Sequence, residues 1–318
     1  MTYQHKASFF ALLSILAYLA KAQPNYRPKI AEVGIERLTD YRASSGERNG
    51  NSSISEVERD ILIKTKLAVP VLIKEDRVFG LQLKYNQHRF LFDNEDYEFN
   101  NELIERINDQ KFYSAGIRFF YKQNLTPFTS IRFFGGAELN NDQFVFDADA
   151  SKYFLSASYT IQKSSTEEIG FGFVASQALG RFNALPVFTY ENHFAPRWVV
   201  DLALPKSAAL RYIINKRTFL TGKTEFKTSS YNLTDAMISD NENLTLRKTD
   251  IQFNLSFERE IHDWLWFSVE AGYNKNLQYF LVEPGQRQNE AVLNFTPRDA
   301  GYMKASLFIV PPRKLFGR

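Results

Sequence analysis

Apolar and polar residues alternate strictly along much of the chain. The clearest stretch is 250–258, where Ile251, Phe253, Leu255 and Phe257 are separated by polar or charged residues. Successive side chains of a strand point to opposite faces, so this pattern predicts one apolar face and one polar face. Comparable stretches, separated by turn residues, recur from Ile61 to Ile309. The recurrence predicts an all-β protein built from consecutive hairpins.

The N-terminus has the layout of a cleavable secretion signal. His5 and Lys6 precede an apolar run that ends at Leu19, and Ala20-Lys21-Ala22 follows. The run is too short to cross a bilayer as a helix. A buried N-terminal helix is the alternative, but Pro24 and Pro28 come directly afterwards and disfavour it. We predict a signal peptide over 1–22, a short periplasmic segment over 23–30, a barrel over 31–310 and a short periplasmic tail over 311–318.

Short and long connections alternate between the predicted strands. Polar stretches at Ser44–Glu58, Asp93–Gln110, Leu139–Ser151 and Ser230–Leu246 are long, whereas Lys74–Arg77 and similar turns are short. Short periplasmic turns opposite long surface loops are typical of outer-membrane barrels. We count fourteen strands, or twelve if two merge between 180 and 214. The prediction is a single antiparallel transmembrane β-barrel; a soluble secreted β-sandwich is the alternative, although its strands are usually shorter.

Composition narrows the partners. The chain has no cysteine, so barrel closure, not disulfides, is expected to hold it together. The formal net charge is only +3, which argues against nucleic acid as a partner. The expected partners are outer-membrane lipid and the barrel assembly machinery, with a monomer favoured as the oligomeric state.

Several local patterns resemble an uncharacterised family of bacterial outer-membrane β-barrel proteins that is known as a domain of unknown function. They are the stretch 198–205, which reads WVVDLALP, the Leu210-Arg211-Tyr212 triplet after it, the basic turn after Leu72-Ile73, and the Ala-Gln end of the signal. The resemblance covers most of the mature chain and implies an outer-membrane barrel. One departure concerns assembly: many such barrels end in an aromatic residue, whereas Phe316 lies two residues before the end here.

The parity of the strands places charged side chains inside the barrel. Charges on the lipid face near mid-membrane cost about 2–4 kcal/mol each for Lys or Arg, so the register with charges inside is preferred. The predicted lumen-facing charges are Lys64, Lys66, Lys84, Arg118, Arg132, Asp201, Arg211, Lys223, Glu225, Asp250, Glu258, Glu270 and Lys304. Bulky residues on the same parity predict a narrow or blocked interior: Phe120, Phe134, Phe154, Trp266 and Phe308.

No catalytic or cofactor motif emerges. The histidines of the mature chain, His88, His193 and His262, show no spacing typical of a Ser-His-acid triad, and we interpret them as rim or turn residues. The acidic run from Asp93 to Glu98 lacks the spacing of a calcium loop and is interpreted as solvated surface, as are Asp147 and Asp149. We expect no metal and no cofactor.

Three functions stay open at this point. The protein is a narrow pore or passive transporter for small hydrophilic solutes, or an envelope-structural or surface-binding barrel that is closed inside and acts through acidic loops. A lipid-modifying outer-membrane enzyme, such as a lipid hydrolase, is the third. The width of the lumen distinguishes the first two, because a pore needs a continuous gap.

Overall fold

The computed structural model describes residues 27–47, 52–93, 102–143, 151–234 and 243–313. Nearly all of this part of the chain is β-strand. The elements are β1 Ala31–Leu38, β2 Tyr41–Glu47, β3 Ser52–Ile73, β4 Arg77–Asp93, α1 Glu102–Ile107, β5 Lys111–Thr126, β6 Thr129–Asn141, β7 Ser151–Gln162, β8 Glu167–Ala178, β9 Arg181–Ala195, β10 Trp198–Leu204, β11 Ser207–Asn215, β12 Thr218–Leu233, β13 Leu244–His262, β14 Leu265–Val282, a 3-10 turn Gln288–Glu290, β15 Leu293–Pro297 and β16 Ala300–Ile309.

The sheet closes on itself as a barrel. Each strand from β3 to β14 pairs antiparallel with the next, and β1 pairs with both β3 and β16. β2 continues β1 along the edge of β3, and β15 precedes β16 along the edge of β14. Each of these two pairs of segments therefore counts as one strand of the wall, and the sixteen segments form a barrel of fourteen strands. Closure satisfies the edges that an open sheet would expose to lipid. The prediction of a closed fourteen-strand antiparallel barrel is confirmed, and β9, β10 and β11 stay separate in the ambiguous middle.

The outer face of the wall is apolar. Side chains on the outward parity are exposed, as alternation predicts for a surface that contacts lipid. They include Val33, Ile35, Leu83, Ile117, Phe171, Phe173, Phe253, Leu255, Val269, Met303 and Leu307. Their immediate neighbours in sequence, among them Gln82, Arg118, Asn254 and Lys304, line the interior.

The four long loops predicted from the sequence are all partly wrong. Leu139–Ser151 and Ser230–Leu246 are shorter than expected, because β6 continues to Asn141, β12 continues to Leu233 and β13 already starts at Leu244. Ser44–Glu58 was expected to be a loop, but β2 continues to Glu47 and β3 already starts at Ser52. The expectation failed because backbone pairing continues where the alternation of apolar and polar residues has ended. Asp93–Gln110 was expected to be a plain surface loop, yet it contains α1. The acidic residues 94–98 and Asp147 and Asp149 lie outside the described residues.

The barrel narrows at the end where the long loops lie. There β12 leaves its neighbour β11 and pairs in parallel with the end of β6, through Asn232 and Asn141. The Asp142 backbone N–H donates to the Asn232 carbonyl at 3.1 Å, and the Asp142 carboxylate accepts from the Thr234 backbone N–H at 3.2 Å. This contact between Asn141–Asp142 and Asn232–Thr234, which we call the seam, closes a smaller ring of nine strands, β12–β15 with β2–β6. It leaves β7–β11 outside the smaller ring.

An apolar core fills the smaller ring, and we call it the cap core. Both isoleucines of α1, Ile104 and Ile107, are buried in it, so the helix covers its outer end. Phe90 and Phe112 meet edge to face, with ring centroids 5.7 Å apart. Its members are Leu38, Tyr41, Ala43, Val57, Phe90, Phe92, Ile104, Ile107, Phe112, Tyr231, Leu233, Leu244, Leu246, Tyr279, Leu281, Leu293, Phe295, Ala300 and Tyr302.

Candidate functional site

A cavity of about 970 Å³ occupies the barrel interior below the cap core. Inward-facing positions of most strands contribute to its lining, because successive residues of each strand alternate between lumen and exterior. Twelve lysine and arginine side chains and seven carboxylates line it. The excess of cations makes the cavity attractive to anions.

Most of the lining carboxylates are paired. Glu36 accepts from Lys64 and Lys227, each at 2.5 Å, and thereby links β1, β3 and β12 across the lumen. Glu138 accepts from Lys84 at 2.9 Å and from the Arg118 Nε at 2.7 Å. Glu32, Glu225, Glu258 and Glu270 also lie within salt-bridge distance of a lysine. Several of these pairs join neighbouring strands of the wall, and together they neutralise the acids more completely than the bases.

Four lining cations have no carboxylate within 4 Å among the described residues: Lys66, Lys152, Arg181 and Arg247. Arg247 donates to the Leu179 carbonyl at 3.3 Å, but its buried Nε has no hydrogen-bond partner in the described part of the chain. Arg181 lies close enough to Arg247 for their like charges to repel. A bound anion would relieve both the repulsion and the unsatisfied Nε.

Eleven of the thirteen predicted lumen charges line this cavity. They are Lys64, Lys66, Lys84, Arg118, Asp201, Arg211, Lys223, Glu225, Glu258, Glu270 and Lys304. Arg132 does not line it and instead donates to Glu168 at 2.5 Å, nearer the short turns. Asp250 is buried beside Lys248, 3.9 Å away, at the edge of the cap core. What any of these groups does for function stays a prediction.

Sequence reasoning missed several charges of the cavity. Glu32 and Glu36 lie on β1, where apolar and polar residues alternate over only a short stretch. Their even numbers nevertheless give them the same inward orientation as Gly34. Arg247 was missed for a different reason. It lies an even number of residues from Leu255 on β13, so alternation predicts that it faces outward as Leu255 does. Only the inward bend of β13 brings it to the cavity. A local pattern of period two carries no signal of that bend.

The expectation that His88 is a rim or turn residue is wrong. His88 is buried inside the barrel, where its Nε2 lies 2.6 Å from Asp60 and its Nδ1 lies 3.0 Å from the Tyr231 hydroxyl. Lys248 donates to the same Asp60 carboxylate, and the Tyr41 hydroxyl donates to it at 3.0 Å. The network offers no serine nucleophile within hydrogen-bond reach of His88 among the described residues. It therefore satisfies buried polar groups within the cap core and does not form a hydrolase triad.

A second apolar cluster lies inside the barrel at the end of the short turns. Trp266 stacks on Phe219, with ring centroids 5.4 Å apart, and Phe308 lies 6.1 Å from Trp266. Val199, Ile213 and Val310 complete the cluster. Trp266 and Phe308 thus point inward as the sequence predicted and narrow this end of the lumen.

The segment before β1 is fastened to the same end. Arg27 donates to the Asp263 carbonyl at 2.5 Å and to the Pro311 carbonyl at 2.7 Å. Burial, together with the nearby Arg313 guanidinium, lowers the pKa of Arg27, although the Asp263 and Glu260 carboxylates oppose this. Lys29 donates to Glu258 at 2.7 Å and lines the cavity. The residues before the first strand and those after the last strand therefore both narrow the lumen at the end where the short turns lie.

The wall has an opening beside the cavity, between β9 and β12. β10 pairs with β9 only from Phe188 onward, so 181–187 bond to β8 alone. β11 pairs with β12 only up to Glu225, and 227–231 bond to β13 alone. The turn at Pro205-Lys206 forms the lower border, where the Phe226 N–H donates to the Lys206 carbonyl at 2.8 Å. At the upper border the Gly285 N–H donates to the Leu179 carbonyl at 3.0 Å.

Two further features are absent from the part of the chain that the structure describes, a metal-binding group and a membrane-spanning helix. No group of three or more His, Cys, Asp or Glu side chains in the described ranges is arranged to hold a metal ion. In the same ranges no helix has the length and apolarity to cross a membrane.

Three solved structures illustrate what the chain is similar to. The COG4313 outer membrane channel from Pseudomonas putida F1 aligns with a TM-score of 0.46 and 10% identity, over 91% of this chain and 98% of that chain. A Pseudomonas aeruginosa FadL homologue gives 0.45 and 8%, over 88% and 90%. The P. putida toluene transporter TodX gives 0.40 and 9%, over 92% of each chain.

Sequence comparison is more decisive than these distant structural likenesses. No curated protein matches the sequence. A family model described as "Domain of unknown function (DUF6268)" matches residues 37–303, which is most of the chain and nearly all of the barrel. The chain therefore belongs to the DUF6268 family.

Proposed function

We propose that the protein is an outer-membrane barrel that takes up small anionic solutes passively, with the central cavity as their binding compartment. The exposed apolar wall supports the membrane location, since such a surface is unfavourable in water. The observation that carries the proposal is the excess of twelve cationic over seven acidic side chains around the 970 Å³ cavity. Charged rings of one dominant sign are how pores favour ions of the opposite sign.

Two apolar clusters inside the barrel argue against a straight axial pore of the porin type as the route. The cap core fills the ring above the cavity, and the cluster around Trp266 narrows the lumen below it. These two closures favour a second candidate, an envelope-structural or binding barrel that passes nothing. Flux measurements distinguish the two.

Reconstituted protein in planar bilayers and in liposomes tests the proposal. We expect flux of small anions, such as acetate or phosphate, to exceed that of small cations of similar size. Lys66 lines the cavity without a carboxylate partner among the described residues, so Lys66→Glu should shift the reversal potential in a salt gradient toward cation preference. Lys163→Glu, in the exposed turn after β7, is the control and should leave selectivity unchanged.

Two results would count against uptake. Absence of both ion conductance and anion flux from protein that is folded in the bilayer would support the structural or binding barrel. Equal selectivity of the wild type and Lys66→Glu would mean that the cavity does not lie on the path.

A further inference from the structure

We infer that the opening between β9 and β12 is a lateral entrance from the outer leaflet, and that its ligand is an anionic amphiphile, with a carboxylate or phosphate headgroup on an acyl chain. The inference rests on the proposed role of the cavity as an anion-binding compartment and specifies where the anion enters and what it is attached to. It is supported by the pairing of the strands, the charges beside the opening and the apolar surface around it.

The opening begins within the thickness of the membrane. A transmembrane strand needs about 9–11 residues to cross the hydrocarbon layer. β10 has only 7 residues and β11 has 9, the lower limit, and both stop pairing with β9 and β12 before those strands end. Their connecting turn at Pro205-Lys206 therefore lies below the level reached by β9 and β12. Lipid chains rather than bulk water border the lower part of the opening.

The free strand edges require a polar environment on one side. Unpaired backbone N–H and C=O groups are not tolerated against hydrocarbon, but they are tolerated where they line a water-filled cavity. The β12 residues 226–231 all line the cavity, both parities included, which shows that the edge of this strand and not one face borders it. The opening thus joins lipid on its outer side to the charged interior on its inner side.

Two arginines beside the opening are incompletely paired. Arg181 is the first residue of the free β9 edge, and Arg247 reaches the same space from the bent part of β13. Neither has a carboxylate within 4 Å in the described part of the chain, and the buried Nε of Arg247 has no partner there. Guanidinium groups bind carboxylates and phosphates through paired hydrogen bonds, so the two arginines suit an anionic headgroup.

The surface outside the opening suits an acyl chain. Phe182 on the β9 edge is 71% exposed and Phe226 on the β12 edge is 44% exposed. Below the turn at Pro205-Lys206, an apolar groove runs along the lipid face between β10 and β14. Its floor includes Gly222, where an added methyl group would meet nothing within 4 Å. A chain in this groove would leave its headgroup at the level of the opening.

Binding of a fluorescent polyene fatty acid to the full chain in neutral detergent tests the ligand class. We expect saturable binding of the fatty acid. A lysophosphatidic acid should compete for it fully, acetate and inorganic phosphate should displace it only weakly, and the methyl ester of the fatty acid should not bind. Arg181→Gln with Arg247→Gln should weaken binding at least tenfold. Arg217→Gln, on an exposed turn at the opposite end, is the matched control and should bind as the wild type does.

The entrance itself is tested by closing it. Because the chain has no cysteine, Asn183→Cys with Ser229→Cys places one thiol on each free edge, and a flexible bis-maleimide can bridge them. Bridging should slow fatty-acid entry at least tenfold. Ile161→Cys with Ile169→Cys, which face each other across the paired strands β7 and β8 and do not line the cavity, should bridge without effect.

Three outcomes would overturn the inference. They are equal binding of the neutral ester, full competition by acetate or phosphate alone, and unchanged entry after bridging of the two edges. Full competition by the soluble anions would leave the proposed anion uptake intact while rejecting the amphiphile. Loss of anion flux together with retained amphiphile binding would do the reverse, so the two proposals fail separately.

Discussion

β13 passes through two environments, and the difference between them explains how this barrel is organised. From Phe253 to Phe257 its odd-numbered residues face outward and its even-numbered residues line the cavity. From Leu244 to Asp250 nearly every side chain is buried: Leu244 and Leu246 lie in the cap core, while Arg247 and Thr249 face the cavity. The face that is outward in the lower part becomes a cavity wall in the upper part.

The same alternating strand geometry thus occurs in two opposite environments. In the wide part of the barrel the apolar face meets lipid and the polar face meets the lumen, as in membrane barrels. In the smaller ring the inward side is apolar, as in the core of a soluble barrel. The change occurs where β12–β14 bend inward to reach β6. Strand period alone therefore does not say which face is apolar; the diameter of the ring and its surroundings decide it.

The largest expected effect concerns the buried charge network in the smaller ring. Asp60→Asn would leave the Lys248 ammonium, which is almost fully buried, without its contacting carboxylate. Asp250 lies 3.9 Å away, which is too far for a hydrogen bond. Breaking a buried pair in this way costs about 3–5 kcal/mol. Urea titration of folding into lipid vesicles should show this loss in the free energy of unfolding.

Two further variants keep that result interpretable. Asp60→Asn combined with Lys248→Met should recover part of the loss, because the buried ammonium that lacked its carboxylate is then removed. The recovery is only partial because Asp250 loses its nearest cation. Asp76→Asn, which breaks an ion pair in the exposed turn after β3, should change little. If the exposed variant were as damaging as Asp60→Asn, the network would not be the reason for the loss.

The next largest effect is expected when a leucine of the cap core is truncated and its loss of stability is compared with that of a leucine on the lipid face. Leu246 is fully buried, so Leu246→Ala should cost about 2–5 kcal/mol by leaving a cavity. Leu83 faces lipid, which can fill the space that Leu83→Ala leaves, and its loss should be less than half as large. The same vesicle titration measures both variants. Equal losses would indicate that the cap core is loosely packed.

A third comparison tests the register of the wide part. Leu255 is 54% exposed on the outer face, and Leu255→Arg should cost about 2–4 kcal/mol or block insertion. Asn254, one residue away, lines the cavity, so Asn254→Arg should be better tolerated and increase anion preference. Folding into lipid decides the order. The reverse order would mean that the strand is displaced by one residue, because such a shift exchanges the two faces.

Period-two alternation was sufficient to predict the wide part of the barrel from the sequence. It placed Lys84 and Arg118 inside and Leu83 and Ile117 outside, and their exposure agrees. The strand count of fourteen is confirmed for the same reason, since each hairpin carries its own alternation and turn. Lipid on the outside imposes a uniform rule that each strand obeys independently of its neighbours.

The smaller ring could not be predicted in this way. Its residues Leu244, Leu246 and Tyr279 look like an irregular end of the alternation, because burial on both faces erases the pattern. The seam between Asn141 and Asn232 joins strands that are far apart in sequence, and nothing local indicates it. The opening between β9 and β12 follows from the short β10–β11 hairpin, whose length was visible in the sequence but whose position beside a bent strand was not.

The smallest expected effect lies at that seam. Burial raises the pKa of Asp142, whose carboxylate accepts from the Thr234 hydroxyl at 3.1 Å. The folded protein therefore holds this proton to a higher pH than the unfolded chain does, so the contribution of Asp142 to stability falls as pH rises through that range. Asp142→Asn keeps the acceptor oxygen and removes the charge, so it should stabilise the protein at pH 7 by on the order of 0.5 kcal/mol. As the pH is lowered and the wild-type carboxyl takes up its proton, the difference in stability between the two proteins should shrink. Comparing the two proteins at each pH cancels the titration of all other carboxyls. A difference that grows as the pH is lowered from 7 would show that the charged form is favoured at the seam, and that an anionic Asp142 helps to hold β12 against β6.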